Sequence, residues 1–283
     1  MAGQDRTSRT VDGVLAALRR GGFSVEVAAT RGPGDATRLA REAAAPGDLE
    51  VVFALGGDGT LREAATGLLG SPVPLGPLPG GTTNVLHYGL GLPHEPEAAA
   101  TALCRLDARP MDVGLCGGTP FLMMASAGLD SHVMSHLDGN LKDTFGVAGV
   151  LLEGIGHWLV YDYPEVAIEV DGRTLGASLA IVANIPFYGG PFRMAPLARI
   201  DDRCLDVVLF HGRGRRAMLS FVMDVMTDAH VHRQDVEFIR VQHVRLGAPR
   251  GMPIQVDGDA FGQTLPVTID LSSDQLMVLA PPG

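Results

Sequence analysis

The chain has 283 residues and a formal net charge of −10, which argues against a nucleic-acid partner because phosphate backbones are bound through basic patches. Its mean hydropathy is high at +0.18, yet no stretch predicts a transmembrane segment, and the polar N-terminus does not look like a secretory signal. The three cysteines are widely spaced, which indicates reduced thiols and a cytoplasmic location.

The first elements in chain order alternate between helix and strand. The spacing of Val14, Leu15 and Leu18 predicts a helix that ends near residue 21. Residues 23–29 alternate as a strand, and residues 36–45 form a second helix with Asp35 as its N-cap. This order favours a parallel sheet flanked by helices.

The central stretch of the N-terminal half is a buried strand, residues 49–55, that runs into a glycine-rich turn and then a helix. Glycines allow a close approach of the backbone, and a helix N-terminus favours an anion, so this turn predicts a phosphate site. Asp58 within it suggests that magnesium or a proton transfer is involved. The alternative interpretation is a tight turn with a capping aspartate.

A second strand, residues 73–78, leads into another glycine-rich turn and a helix from Val85. Ligands bind at the carboxyl edge of parallel strands, so we expect both turns to face the same ligand. The predicted cofactor-binding residues are Gly56, Gly57, Asp58, Gly59, Thr60, Gly80, Gly81, Thr82, Thr83 and Asn84.

From about Met111 the pattern changes to β-strands, and it predicts a sandwich-like second domain. Two long helical patterns interrupt it, at residues 141–158 and 215–227. The predicted strands cover residues 111–115, 120–127, 164–170, 174–184, 205–210, 235–246, 253–256, 265–271 and 275–280.

Three motifs, residues 56–60, 79–84 and 89–93, together resemble the catalytic domain of the diacylglycerol, sphingosine and ceramide kinase superfamily, and its bacterial lipid kinases above all. The resemblance implies a three-layer Rossmann-like α/β domain, residues 1–111 with a returning stretch 272–283. It also implies a C-terminal β-sandwich domain, residues 112–271, and an active site in the cleft between the two domains.

The resemblance further implies an ATP- and Mg²⁺-dependent kinase that transfers the γ-phosphoryl group to a hydroxyl of a membrane lipid, with diacylglycerol the first expectation. Such a cytoplasmic protein would contact the inner face of the membrane transiently and peripherally, and a homodimer is one expected assembly. The alternatives are a soluble kinase similar to NAD kinase and a catalytically impaired nucleotide- or lipid-binding relative. The superfamily's opening strand, which ends in Asn-Pro, is missing before Met1, and we expect a truncated start.

The resemblance also assigns roles to acidic residues of the second domain. Asp257-Gly258-Asp259 resembles the family's Asp-Gly-Glu, which implies that Asp257 is the general base. Asp259 then stands in place of the cofactor-binding Glu. Asp58 is the other carboxylate with an expected catalytic role. A simple hairpin turn is the alternative for this motif. Asp130 corresponds to a substrate contact, and a helix N-cap is its alternative.

A structural magnesium site is implied at residues 199–206, through the side chain of Asp202 and the carbonyls of Arg199 and Cys204. Arg203 replaces the family's glycine, and we expect it to resist the required backbone conformation. A polar turn is the alternative. Among basic residues that would clamp phosphates, only Lys142 is kept.

His132 and His136 are spaced i, i+4, which would suit zinc on a helix. No glutamate follows His132, so the zinc-peptidase pattern is absent and a metal is not the favoured interpretation.

Overall fold

The structure is a computed structural model that describes residues 2–136, 156–248 and 251–282, with side chains described from residue 8 onward. It divides into two units, residues 1–111 with 274–283, and residues 112–273. Within the described ranges, every helix is too short or too polar to cross a bilayer.

The first unit is an α/β unit built on a four-stranded sheet. Its helices are α1 (Ala2–Arg20), α2 (Asp35–Ala44), α3 (Asp58–Leu68), α4 (Val85–Leu90) and α5 (Pro96–Leu103). Its strands are β1 (Val52–Gly56), β2 (Leu75–Pro79), β3 (Ala108–Met111) and β18 (Leu276–Leu279), in the order β1-β2-β18-β3. β2 is parallel to β1 and to β18, whereas β3 is antiparallel to β18. The last strand therefore returns to the first sheet.

Helix α3, which follows the first glycine-rich turn, packs into this unit through one apolar face. Leu61, Ala64, Ala65 and Leu68 recur at helical spacing, and all four are buried. Beside this apolar face, a Cβ at Gly67 would lie 2.4 Å from the Thr37 carbonyl oxygen, so glycine lets α2 approach closely. Glu63 of α3 also accepts hydrogen bonds from the backbone N–H groups of Gly34 and Ala36 at the start of α2.

Three sequence predictions in this unit are wrong. Residues 23–29 form no strand, and every residue of β1 is only half buried rather than fully buried. Strand pairing needs a hydrogen-bonded neighbour, and among the described residues the outer edge of β1 has none. Asp35 is also not the N-cap of α2. Gly34 occupies that position, and the Asp35 carboxylate accepts the Arg31 N–H at 2.8 Å instead.

The second unit is a β-sandwich, as predicted. One six-stranded sheet has the order β13-β12-β9-β6-β15-β16, and the other has the order β5-β4-β17-β14-β7-β8. Those strands are β4 (Gly114–Cys116), β5 (Thr119–Phe121), β6 (Met124–Ala127), β7 (Val166–Val170), β8 (Arg173–Ala177), β9 (Leu179–Ala183), β12 (Leu205–Phe210), β13 (Val236–Val241), β14 (His243–Gly247), β15 (Pro253–Val256), β16 (Asp259–Thr264) and β17 (Val267–Leu271).

Alternate residues of these strands form one apolar core, in which Val166, Ile168 and Val170 of β7 are representative. The remaining elements are a short hairpin of β10 (Phe187–Tyr188) and β11 (Phe192–Arg193), the helices α6 (Leu129–His136) and α7 (Gly214–Val225), and a 3₁₀ turn (Ala229–His232). The sequence analysis missed the β10–β11 hairpin and β16. Most of the helix predicted at residues 141–158, including Lys142, lies outside the described residues, although residues 156–160 are helical.

Candidate active site

The two glycine-rich turns lie against each other where β1 and β2 end. The Gly80 N–H donates to the Gly56 carbonyl at 2.8 Å. A Cβ at Gly80 would lie 2.9 Å from the Gly56 Cα, and one at Gly81 would lie 2.7 Å from the Gly57 Cα. Glycine is therefore required for the backbones of the two turns to touch, and together they form one platform at the carboxyl edge of the sheet.

Asp58 connects the same two turns through its side chain. Its carboxylate accepts the N–H groups of Val85 at 3.0 Å and of Leu86 at 3.2 Å, which belong to the first turn of α4. A carboxylate at a helix N-terminus is stabilised by the helix dipole. Asp58 thus has a positioning role between the platform's halves.

Asn84 is also a positioning residue in this platform. It adopts the left-handed conformation with φ 48°, and its side chain both accepts the Gly81 N–H at 2.8 Å and donates to the Gly81 carbonyl at 2.9 Å. These bonds close the second turn into a ring and leave Gly80, Gly81 and Thr82 exposed. The first turn of α3 adds N–H groups that have no partner within the helix.

An open cavity of about 350 Å³ adjoins the first glycine-rich turn. Its lining includes Gly59 and Thr60 from the turn and Arg31 from the loop before α2. The volume is in the range of small-molecule sites. Arg31 is a positively charged side chain beside a predicted phosphate site, and the sequence analysis did not single it out.

Asp257 lies at the tip of the β15–β16 hairpin of the second unit, with φ 50° and a side chain that is 5% exposed. Its carboxylate accepts three consecutive backbone N–H groups, from Leu122 at 2.9 Å, Met123 at 2.8 Å and Met124 at 3.0 Å. Such donors stabilise the ionised carboxylate and fix its orientation. Asp259 follows as the first residue of β16 and is half buried.

A chain of hydrogen bonds joins this hairpin to Asp130 at the start of α6. The Gly258 N–H donates to Gln255 at 2.7 Å, and the Gln255 amide donates to the Ser126 hydroxyl at 2.7 Å. The Ser126 hydroxyl in turn donates to the Asp130 carboxylate. The hairpin and Asp130 are thus held in one network.

Asp130 itself keeps one acceptor unused. Its Oδ2 accepts from Ser126 and from the Tyr188 hydroxyl at 2.7 Å, whereas its Oδ1 is buried with no hydrogen-bond partner among the described residues. Burial of the hydroxyl and the neighbouring Asp130 charge raise the pKa of Tyr188 well above its usual value, so Tyr188 stays a donor. A buried acceptor without a donor is costly unless a ligand supplies one.

The loop at residues 199–206 carries arginines where the resemblance implies magnesium. Arg203 does adopt a left-handed conformation, with φ 58°, contrary to our expectation that it would resist one. Its guanidinium contacts the fully buried Asp112 at 2.9 Å, and its backbone N–H donates to the same carboxylate at 2.6 Å.

Asp202, the predicted magnesium ligand of this loop, is paired with the Arg240 guanidinium and also accepts the Cys204 N–H at 3.3 Å. A cation at this carboxylate would stand beside a guanidinium, so this loop does not fit the structural magnesium. Arg240 is the cross-strand partner of Asp206. The pKa of Asp206 is raised because burial disfavours its charge, although Arg240 opposes that effect.

Comparison with known proteins identifies the family. Residues 1–116 match the family described as diacylglycerol kinase catalytic domain, and residues 123–280 match the YegS C-terminal NAD kinase beta sandwich-like domain. A probable lipid kinase YegS-like of Chromohalobacter salexigens is 32% identical over 86% of this chain and 79% of its own length. The chain belongs to the YegS-like family of lipid kinases.

Other relatives agree with this assignment. A probable lipid kinase YegS-like of Pseudomonas putida is 31% identical over 91% of this chain and 86% of its own length. A diacylglycerol kinase of Bacillus subtilis is 29% identical over 89% of this chain and 84% of its own. The crystal structure of a putative diacylglycerol kinase from Bacillus anthracis has the same fold, with a TM-score of 0.82 at 24% identity over 97% of this chain and 90% of that one. Kinases of this family are phosphotransferases, which take the phosphoryl group from a nucleotide, typically with a metal ion.

The sequence analysis of this lipid kinase missed the residues that support the predicted acids. Ser126 and Gln255 meet because antiparallel pairing brings β6 and β15 together, whereas Tyr188 reaches Asp130 from the short strand β10. Arg240 was missed for the same reason. A strand arginine opposite an aspartate is visible only once the register of β12 and β13 is known.

Proposed function

We propose that this protein transfers the γ-phosphoryl group of ATP, with Mg²⁺, to a hydroxyl of a membrane lipid, with diacylglycerol as the first candidate. The observation that carries the proposal is the glycine platform, in which two turns pack backbone against backbone beside the N-terminus of α3. Phosphoryl transfer depends mainly on positioning and charge stabilisation, which such a platform supplies. The membership in a lipid kinase family supports a lipid acceptor.

On the donor side, the exposed turn residues Gly80, Gly81 and Thr82 and the first turn of α3 would bind phosphate oxygens. The cavity beside Gly59 and Arg31 would take part of the nucleotide. Bound Mg²⁺ neutralises charge on the phosphates during transfer. Asp58 would hold that ion through water, while its contacts with Val85 and Leu86 keep the two turns in register.

On the acceptor side, two carboxylates would act on the lipid hydroxyl. Asp257 is the proposed general base, and its three N–H contacts would set the direction from which it takes the proton. Asp130 would orient the hydroxyl or the head group through Oδ1, the buried acceptor that has no partner among the described residues. Tyr188 and Ser126 would hold Asp130 in place.

Contact with a membrane would use the exposed face of α7 and the residue after it. Leu219, Val222, Met223 and Met226 lie at helical spacing and are 46% to 57% exposed. Such an apolar stripe on an amphipathic helix can enter the headgroup region of a bilayer. The net charge of −10 disfavours purely electrostatic attachment, so apolar contact is the physical route that remains. A second copy of the chain is the other candidate occupant of this face.

The experiment is transfer of labelled phosphate from ATP to a mixed lipid extract, presented in detergent micelles and in vesicles. We expect a labelled lipid whose identity names the acceptor, and we expect Gly81→Ala to reduce transfer by about a hundredfold because the two turns must separate. Gly156→Ala is the control, since its methyl group would meet no described residue within 4 Å. Met223→Glu should reduce transfer on vesicles more than in micelles.

Two outcomes would overturn the proposal. Phosphorylation of NAD in place of lipid would identify a soluble kinase that uses the same glycine-rich turn. Binding of nucleotide or lipid without any transfer would identify a binding protein built on the kinase fold.

A further inference from the structure

Three histidines of the sandwich unit come together although the sequence separates them. His132 and His136 lie one turn apart on α6, and His157 lies within the helical residues 156–160. The nitrogen atoms that the three rings offer all lie within 4.8 Å of one another. Within the ranges that the structure describes, no other three His, Cys, Asp or Glu side chains meet that spacing.

The spacing of two of these rings is that of neighbouring ligands of one ion. The His132 Nε2 and the His157 Nδ1 are 3.2 Å apart. Zinc–nitrogen bonds of about 2.0–2.1 Å in a tetrahedron place two ligating nitrogens about 3.3 Å apart. A metal ion bound to both nitrogens would replace the hydrogen bond between the two imidazoles.

The third ring already has the outer contact that is typical of a metal-binding histidine. The His136 Nδ1 lies 2.8 Å from the His132 carbonyl oxygen, to which it donates, and 3.0 Å from the Ser135 hydroxyl, so the lone pair of this ring is on Nε2. Histidines that bind metals commonly donate their other N–H to a backbone carbonyl, which fixes the tautomer and the orientation of the ring.

We propose that His132, His136 and His157 bind one divalent transition-metal ion, zinc in the first instance, with water in the fourth position. Imidazole ligands suit zinc and its neighbours in the transition series, whereas Mg²⁺ prefers oxygen ligands. This site is therefore separate from the magnesium of phosphoryl transfer, and it does not depend on the proposed function.

The metal would tie α6 to residues 156–161 of the same unit. Asp130 precedes His132 by two positions on α6, and the Tyr161 ring lies 4.9 Å from the His132 ring, centroid to centroid. Fixing α6 would also fix the helix that carries the unused Asp130 acceptor. We expect zinc to raise the thermal midpoint of unfolding by binding the folded form alone.

The test uses the full chain without a histidine tag, freed of metal with a chelator and titrated with zinc chloride by calorimetry. We expect one equivalent of zinc to bind. His136→Ala and His157→Ala should each weaken zinc binding by more than about tenfold, because loss of even an outer-shell partner of a metal ligand costs at least that much. His243→Ala is the matched control. His243 is an exposed residue of β14, and its Nδ1 lies 2.6 Å from the Asp270 carboxylate on the neighbouring strand β17.

Cobalt supplies a second measurement that does not depend on heat of binding. The wild type should give an intense visible absorption band, as tetrahedral cobalt does, and His136→Ala should lose it. His136 is exposed, so this variant tests the site even if His157→Ala does not fold. Equal zinc affinity in wild type and His136→Ala, or the absence of stoichiometric binding to wild type, would overturn the proposal.

Discussion

Two pairs of carboxylates in this protein are held in different ways. Asp58 and Asp257 accept backbone N–H groups, two from α4 in the first case and three from residues 122–124 in the second. Asp112 and Asp202 are paired with the guanidinium groups of Arg203 and Arg240. The first pair contains the carboxylates to which the family resemblance gives catalytic roles. In the second pair, Asp202 is the side chain to which the resemblance gives a structural metal, and Asp112 contacts the same loop through Arg203.

The two kinds of contact differ in whether the negative charge of the carboxylate stays available. Backbone N–H groups fix a carboxylate in position without bringing in a neutralising charge, so the negative charge stays available to a metal ion or a proton. An arginine brings its own positive charge and occupies the space of a cation. We infer that the chain keeps its N–H-bound carboxylates for chemistry and its arginine-bound carboxylates for folding.

The largest expected effect in this comparison is that of Asp257→Asn. In asparagine an NH₂ group replaces one carboxylate oxygen, so it would face buried backbone N–H donors instead of accepting from them. We therefore expect the free energy of unfolding to fall by about 3 kcal/mol. Chemical denaturation measures this loss. Lipid phosphorylation should also fall to background if Asp257 is the base.

The matched control is Asp259→Asn, two residues further along the same hairpin. Asp259 is half buried, so its effect on stability should stay below about 1 kcal/mol. If Asp257→Asn were as stable as Asp259→Asn, the three N–H contacts would not stabilise the charge as the geometry indicates.

Local patterns predicted most of the sandwich, because each strand carries its own alternation and its own turn residues. The bounds predicted for β12 and β15 match the structure. The glycine turns were predictable for a similar reason, since strand, turn and helix follow one another in the chain. Residues 23–29 show the limit of this reasoning, because alternation predicts a strand only where a neighbouring strand is present to pair with it.

The contacts of the candidate site were less predictable, since they join residues that are distant in sequence. Arg203 and Asp112 are 91 positions apart, and Asp257 and Met124 are 133 apart. Which side chains meet over such separations depends on strand register and on which faces pack together. The same reason explains why His157 was not connected with His132 and His136.

The second prediction concerns Arg203→Gly, which restores the family's glycine. Glycine removes about 1 kcal/mol of strain at the left-handed position, but it leaves the buried Asp112 without its guanidinium, and we expect a net loss of about 2 kcal/mol in the free energy of unfolding. Arg240→Ala should cost less than about 1 kcal/mol, because the Arg240 side chain is 53% exposed.

Magnesium titration of the wild type and of Asp202→Asn tests whether arginine excludes the metal. In the absence of nucleotide, Mg²⁺ should not raise the unfolding midpoint of the wild type. A rise in wild type that Asp202→Asn removes would show that a metal binds this loop in spite of Arg240, and the division between the two pairs of carboxylates would then be wrong.

The third prediction concerns Asp58→Asn, which separates positioning from chemistry. The asparagine oxygen can still accept one of the two α4 N–H groups, so the free energy of unfolding should fall by only about 1 kcal/mol. Glu95→Gln is the matched control, because the Glu95 carboxylate accepts N–H groups at the start of α5 in the same way. Both variants should lose similar stability in denaturation, but only Asp58→Asn should lower phosphate transfer, by about a hundredfold, since the two glycine turns would no longer be held in register. Equal transfer by the two variants would mean that Asp58 is a helix cap and nothing more, and that the platform positions phosphate through its glycines alone.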